Sequence, residues 1–260
     1  MSEKFRKLRV LTPLRPGLPE HVFISRNDKT GWSINVSIAK TCTPTKACVE
    51  YCYGLEGRVR MRASLNKQAE NARFFAEATP KELTNEAVDI VHIVSRSQSF
   101  IRVFGVGDLQ LGSVFFANQM ATYALHARPA FQIWLATRKF DLAAQLIDSP
   151  NLHVMCSFDS TTSPKSLEAG RALLSRPGFF AAYVHRSPDE VVPDWVSVAF
   201  AEHHVGGRHS RATWAGAEKR TCPATVPGGL DHQGACQACT FCFNRERRAK
   251  GPPLMQIRRR

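Results

Sequence analysis

The chain has 260 residues, of which 43% are hydrophobic, a globular composition that excludes global disorder and leaves room for one large domain or two small ones. No apolar run approaches the roughly 18 residues that a membrane helix needs, and the start Met1-Ser-Glu-Lys-Phe-Arg-Lys7 lacks the apolar centre of a secretion signal. A cytoplasmic protein with no membrane partner is expected, and its formal net charge of +13 favours anionic partners, nucleic acid first among them.

Residues 1–32 hold Pro13, Pro16 and Pro19 and little periodicity, so they read as an irregular lead-in. Residues 33–39, Ser-Ile-Asn-Val-Ser-Ile-Ala, alternate polar and apolar and predict the first strand. A cysteine loop follows at 40–54. Residues 64–78 predict a helix with Leu65, Ala69, Ala72 and Phe75 on one side. Thr79-Pro80 caps the next, which runs to Ser95 with Leu83, Ala87, Ile90 and Val91 apolar. A strand at 100–108 precedes a helix at 112–127, and a third strand covers 131–137. Residues 140–147 form a short helix, 152–159 a fourth strand, and Ser163-Pro164 opens a helix to Ser175. Strands at 179–184 and 195–200 complete the set.

Strands alternating with helices predict an α/β fold, a partial parallel α/β barrel of about six strands over residues 33–204. The connector at 205–221 is glycine-rich and basic. With the cysteine-rich segment up to 244 it is too small for its own core and should pack on the barrel. Residues 245–260 read as a solvated basic tail. In such a barrel the polar strand ends, among them Gly107-Asp108, Arg138-Lys139, Ser157 and Asp159, would share one mouth with the cysteine loop.

In a reducing compartment, eight cysteines read as metal ligands before disulfides. Cys42, Cys48 and Cys52, spaced C-x5-C-x3-C, are one ligand short of a tetrahedral site. A four-iron cluster needs a ligand per iron, so three thiolates would leave one iron open to a substrate or cofactor. Cys222, Cys236, Cys239 and Cys242 could close a second site. Their crowding favours a 4Fe–4S cluster over zinc, with zinc the alternative at both sites. Cys156 alternates away from Ser157 and Asp159 and is expected as a small buried hydrophobe against the helices. Gly105 and Gly107 would admit a ligand close to the backbone beside the Asp108 carboxylate, and Arg138 could grip a carboxylate with two hydrogen bonds. His203 and His204 are spare ligand candidates that read first as surface side chains.

These motifs, in this order, resemble the phage "gene product 88" family. The match runs through Cys42-Thr-Pro, Cys48 and Tyr51-Cys52-Tyr53-Gly54. It continues with Asn71, Arg102 to Gly107-Asp108, Trp134 to Thr137-Arg138-Lys139, Ser157 with Asp159, Cys222-Pro223, and Cys236, Cys239 and Cys242. The family in turn resembles compact radical S-adenosylmethionine (SAM) enzymes, whose usual cysteine spacing is shorter, C-x3-C-x2-C. That resemblance implies that Cys42, Cys48 and Cys52 hold a 4Fe–4S cluster whose open iron binds SAM. It implies reductive cleavage to a 5′-deoxyadenosyl radical, with electrons from a flavodoxin or ferredoxin. Asp108 and Arg138 would be catalytic, and Gly105, Gly107, Ser157, Asp159, Tyr53 and Asn71 would join them in binding the cofactor. The C-terminal cysteines would hold an auxiliary 4Fe–4S cluster. The expected function is therefore an iron–sulfur enzyme acting on an anionic substrate such as nucleic acid, a nucleotide or a peptide. The alternative is a non-catalytic iron–sulfur or zinc protein that binds nucleic acid.

Overall fold

A computed structural model describes residues 18–27, 30–50, 52, 54, 61–185, 190–201, 222, 236 and 239–249. Tyr53, the connector at 205–221, His203, His204 and residues 250–260 lie outside the described residues. Seven strands form one sheet: β1 (Ile24–Asn27), β2 (Gly31–Ile34), β3 (Phe100–Val103), β4 (Gln132–Thr137), β5 (Leu152–Phe158), β6 (Phe179–His185) and β7 (Val198–Ala201). They lie side by side in chain order. β1 is antiparallel to β2, and every later neighbour is parallel.

The fold is α/β, as expected, but the sheet has seven strands and is not closed, since β1 and β7 are both edges. Seven strands, the first antiparallel, stand where about six parallel ones were expected. The lead-in is not irregular throughout: it supplies β1 and the start of β2. Asn27 holds the hairpin turn, its Oδ1 accepting from Thr30 N at 2.6 Å, and Gly31 takes φ +67° there.

Helices fill the connections: α1 (Ile38–Thr41), α2 (Lys46–Glu50), α3 (Arg62–Glu77), α4 (Pro80–Ser95), α5 (Leu111–Ala127), α6 (Phe140–Ala143) and α7 (Pro164–Leu173). Among the described residues, no helix is long and apolar enough to cross a membrane. At the start of α4, Thr79 accepts from Glu82 N while the Glu82 side chain accepts from Thr79 N, with Pro80 in the first turn. Ser163 caps α7 ahead of Pro164, its side chain accepting from Ser166 N. Parallel strands in sequential order, joined by right-handed crossovers, carry their helices on one face. The apolar sides of α3, α4 and α5 accordingly share a core with Leu152, Val154, Cys156 and Phe158 of β5. Cys156 is fully buried there, as its position in the alternation predicts.

The opposite face is covered by the C-terminal segment. Phe241 and Phe243 pack on Phe100, Trp134, Met155 and Phe180, the alternate strand positions. Phe243 stacks on Phe100 with centroids 4.1 Å apart. A short helix, α8 (Arg245–Ala249), follows. Arg245 donates to Ser149 O at 2.7 Å. Arg248 donates to His153 Nδ1 at 3.1 Å and lies 4.5 Å over the Phe180 ring. The expected solvated tail therefore begins as a pinned helix. Guanidinium groups lying on rings and donating to backbone carbonyls make residues 245–249 part of the packed structure.

Candidate metal centre and strand-end site

The first two strands that carry the site end earlier than their apolar runs. β2 stops at Ile34, and the chain turns into α1, where Thr41 N and Thr41 Oγ1 both donate to Ser37 O. β3 stops at Val103 because Phe104 takes φ +61°, which breaks the ladder. The two ends stay joined: Phe104 N donates to Ile34 O at 2.8 Å and Val36 N to Val106 O at 2.9 Å. Gly105 and Gly107 permit this approach. A Cβ at Gly105 would stand 2.7 Å from Asn35 Oδ1. One at Gly107, where φ is +88°, would stand 2.5 Å from Val36 O.

The cysteine loop hangs from these strand ends by its threonine hydroxyls. Thr41 Oγ1 accepts from Asp108 N at 2.9 Å. Thr45 Oγ1 accepts from Cys48 N at 3.1 Å and donates to Asp159 Oδ2 at 2.5 Å. Ala47 N donates to Thr161 Oγ1 at 3.0 Å. Cys42 and Cys52 pack against Ile38, Leu65 and Val106.

Asp108, Arg138 and Asp159 come together beside this loop. Asp108 is buried, and its carboxylate accepts from Thr137 Oγ1 at 2.5 Å, Leu109 N at 2.8 Å and Arg138 N at 3.1 Å. Burial pushes its pKa above the usual carboxylate range, and these hydrogen bonds hold it back in part. The Arg138 guanidinium pairs with Asp159 Oδ2 at 2.7 Å, the two side chains being 12% and 1% exposed. Burial would raise Asp159, but the charge of Arg138 and the hydrogen bonds from Thr45 and Thr161 outweigh it, so Asp159 titrates below the usual range. Ser157 is half-buried on β5, two residues before Asp159. Asn71 stands apart from this group. It accepts from Phe23 N at 2.7 Å and donates to Phe23 O and Asn35 O, tying β1 and the end of β2 to α3.

None of the eight cysteines is in a disulfide. Burial pushes the Cys42 thiol well up, and Asp108, Cys48 and Cys52 add to that. Burial also raises Cys48, while the charge and hydrogen bond of Arg138 pull it back. At the other face, Cys222, Cys236, Cys239 and Cys242 all pack against the cluster around Phe100 and Trp134. Burial raises Cys242 well above its ordinary value; Cys222, Cys236 and Cys239 raise it further, and Arg102 opposes them. Cys42 thus lies within electrostatic reach of Cys48 and Cys52, and Cys242 within reach of Cys222, Cys236 and Cys239.

Among the described residues, no three His, Cys, Asp or Glu side chains are placed so that they could hold a metal ion. The donor sets nonetheless suit a soft, thiolate-binding metal, which on binding would displace the protons that burial keeps on these thiols. The C-terminal group has a second sign of fit. Trp134, 4% exposed in the cluster under those cysteines, has a buried indole N–H with no hydrogen-bond partner among the described residues.

The site residues absent from the sequence expectation are the hydroxyls of Thr41, Thr45 and Thr161, which with that of Thr137, named there only as a motif residue, carry the loop and the carboxylates. The signal for the first two was their place inside the cysteine run, where Thr and Ser commonly hydrogen-bond nearby backbone.

A sequence profile of the family described as gene product 88 matches residues 18–245. Comparisons with curated proteins and with solved structures find no match. The profile spans both cysteine groups and every strand of the sheet, and the chain belongs to the gene product 88 family.

Proposed function

We propose that the chain is a metal–thiolate enzyme of radical SAM type, with an open-site 4Fe–4S cluster on Cys42, Cys48 and Cys52 and an auxiliary one on Cys222, Cys236, Cys239 and Cys242. One observation carries this reading. Three thiols on a loop at the C-terminal ends of parallel strands lie against the buried Asp108–Arg138–Asp159 group, while four others lie on the sheet's second face. In α/β sheets, that end of the strands is where ligands bind.

When bound, such a cluster with SAM would supply one-electron chemistry and hydrogen abstraction. The chain's own residues position the parts. Thr41 and Thr45 fix the cysteine loop to Asp108 and Asp159. Asp108 holds the Arg138 backbone, and Asp159 aims the Arg138 guanidinium beside Cys48. In this reading Arg138 meets the carboxylate of SAM, and Asp108 acts by positioning it. Gly105 and Gly107 keep the wall of the site thin. Ser157, Tyr53 and Asn71 remain proposed contributors to cofactor binding. The protein would be cytoplasmic, reduced by a flavodoxin or ferredoxin, and active on an anionic substrate. The net charge of +13 supports a second reading, a non-catalytic nucleic-acid binder.

Anaerobic reconstitution tests the choice. The enzyme reading expects about eight irons and as many sulfides per chain, by the cubane count. SAM should change the EPR spectrum of the reduced protein, and 5′-deoxyadenosine should appear with a strong reductant. Stoichiometric zinc without sulfide, or a reduced cluster indifferent to saturating SAM, refutes it and leaves the binding protein ahead.

A further inference from the structure

The sheet face under the C-terminal segment holds an oddity that strand alternation alone does not explain. Trp134 is the central side chain of that face. It is paired in register with Arg102 on β3 and His153 on β5, and it is 4% exposed. A phenylalanine would fill an apolar position there without carrying a polar atom. Instead the indole N–H is buried with no hydrogen-bond partner among the described residues. An unpaired buried donor is costly, and native structures seldom leave one without protein, water or a bound group as its acceptor. The side chains of its cluster are aromatic or aliphatic, apart from Met155 and the four cysteines. The polar side chains nearby, His153 and Gln132, are engaged with each other and with Arg248, which leaves thiolate or sulfide sulfur as an acceptor for the indole. Arg102 lies 4.8 Å over the Trp134 ring, and its charge reaches Cys242. A cation and an orphan N–H therefore stand together under four crowded thiols.

We infer that Trp134 donates its indole N–H to a sulfur of a metal–thiolate centre on Cys222, Cys236, Cys239 and Cys242, with Arg102 stacked behind it as the compensating charge. This rests on the reading that those cysteines hold a metal. In it, Trp134 and Arg102 are positioning residues that reach the centre from the sheet. A hydrogen bond to sulfur disperses negative charge, stabilises the more reduced state of an iron–sulfur centre and raises its potential. Outer partners of this kind commonly account for 10–100-fold in metal affinity.

The test compares the full chain with its Trp134→Phe variant after anaerobic loading with iron and sulfide. Iron content, chelator-driven metal loss and the midpoint potential of each centre are read. Wild-type and variant should both load. The variant's C-terminal centre should show a lower potential and about tenfold faster loss to the chelator, with the other centre unchanged. Equal potentials and equal loss rates overturn the inference and leave the metal reading standing. A wild-type chain that loads nothing on the C-terminal cysteines overturns both. Should Trp134→Phe fail to fold, benzothienylalanine incorporated at Trp134 keeps the volume of the ring system and removes only the N–H. The same shift is expected from it, and its absence is equally decisive.

Discussion

Arg248 donates to Nδ1 of His153 on the sheet's second face, at 3.1 Å, joining α8 to β5. His153 Nε2 lies 2.8 Å from Gln132 Oε1, so the ring accepts at one nitrogen and donates at the other, the neutral tautomer. That contact makes residues 245–249 a clamp. A chain ending at Ala249 should keep the stability of the whole, while one ending at Asn244 should lose at least about 2 kcal/mol. The loss comprises the charged hydrogen bonds of Arg245 and Arg248 and the Arg248–Phe180 contact. Urea titrations of the two truncations check it; equal midpoints would show that the helix is passive.

The same pair sets a pH dependence. Burial, with the charges of Arg248 and Arg245, lowers His153 from 6.5 to about 3 in the folded chain. The unfolded state then binds the extra proton between those two values. The contribution of His153 is complete above about pH 6.5 and shrinks as the pH falls, by about 1.4 kcal/mol per unit, until about pH 3. Denaturant midpoints between pH 7 and 4 should fall more steeply for the wild type than for His153→Gln. Parallel profiles would exclude the histidine as the cause.

Asp159→Asn should loosen the cysteine loop. It removes the buried partner of Arg138 and weakens the bond from Thr45. Leaving a buried charge unpaired costs about 3–5 kcal/mol. The carboxylate also raises the Cys48 pKa, and Arg138 lowers it. The metal-free variant should therefore be less heat-stable and should alkylate faster at Cys48. Slower alkylation, followed by mass spectrometry, would contradict the arrangement.

Gly107→Ala tests whether the glycines of the strand-end loop serve the chain itself. With φ +88° and Val36 O 2.5 Å from the new Cβ, the substitution should destabilise by more than about 1 kcal/mol even in apoprotein. If only SAM-dependent signals suffer and stability does not, the glycine serves the ligand alone.

The helical layer was legible because its signals are local. The Thr79-Pro80 and Ser163-Pro164 starts and the apolar spacing of α4 and α5 recur in the structure within a residue or two. The long buried strands β4 and β5 were equally plain. The β1–β2 hairpin was not, because β1 is short, polar and largely unburied, and only Asn27 and Gly31 mark its turn. The end of β3 was hidden for another reason: nothing in a phenylalanine announces a positive φ, and Phe104 adopts it because the crossing to β2 demands it. In the site, the cysteines declared their two groups by spacing. The burial of Asp108 and the pinning of Arg245 and Arg248 depend on residues far away in sequence, which is why a basic run read as a tail.

Neighbouring strands in this sheet are neighbours in the sequence, so each can join as it leaves the ribosome and meet its predecessor already in place. The second face follows a different timetable. Phe100, Trp134, Met155 and Phe180 wait for Phe241 and Phe243, which are synthesised after β7. Until then those four side chains lack the two phenylalanines that pack on them. Maturation would thus be gated by the arrival of its closing segment, and the interval before that is when a chaperone would have most to hold.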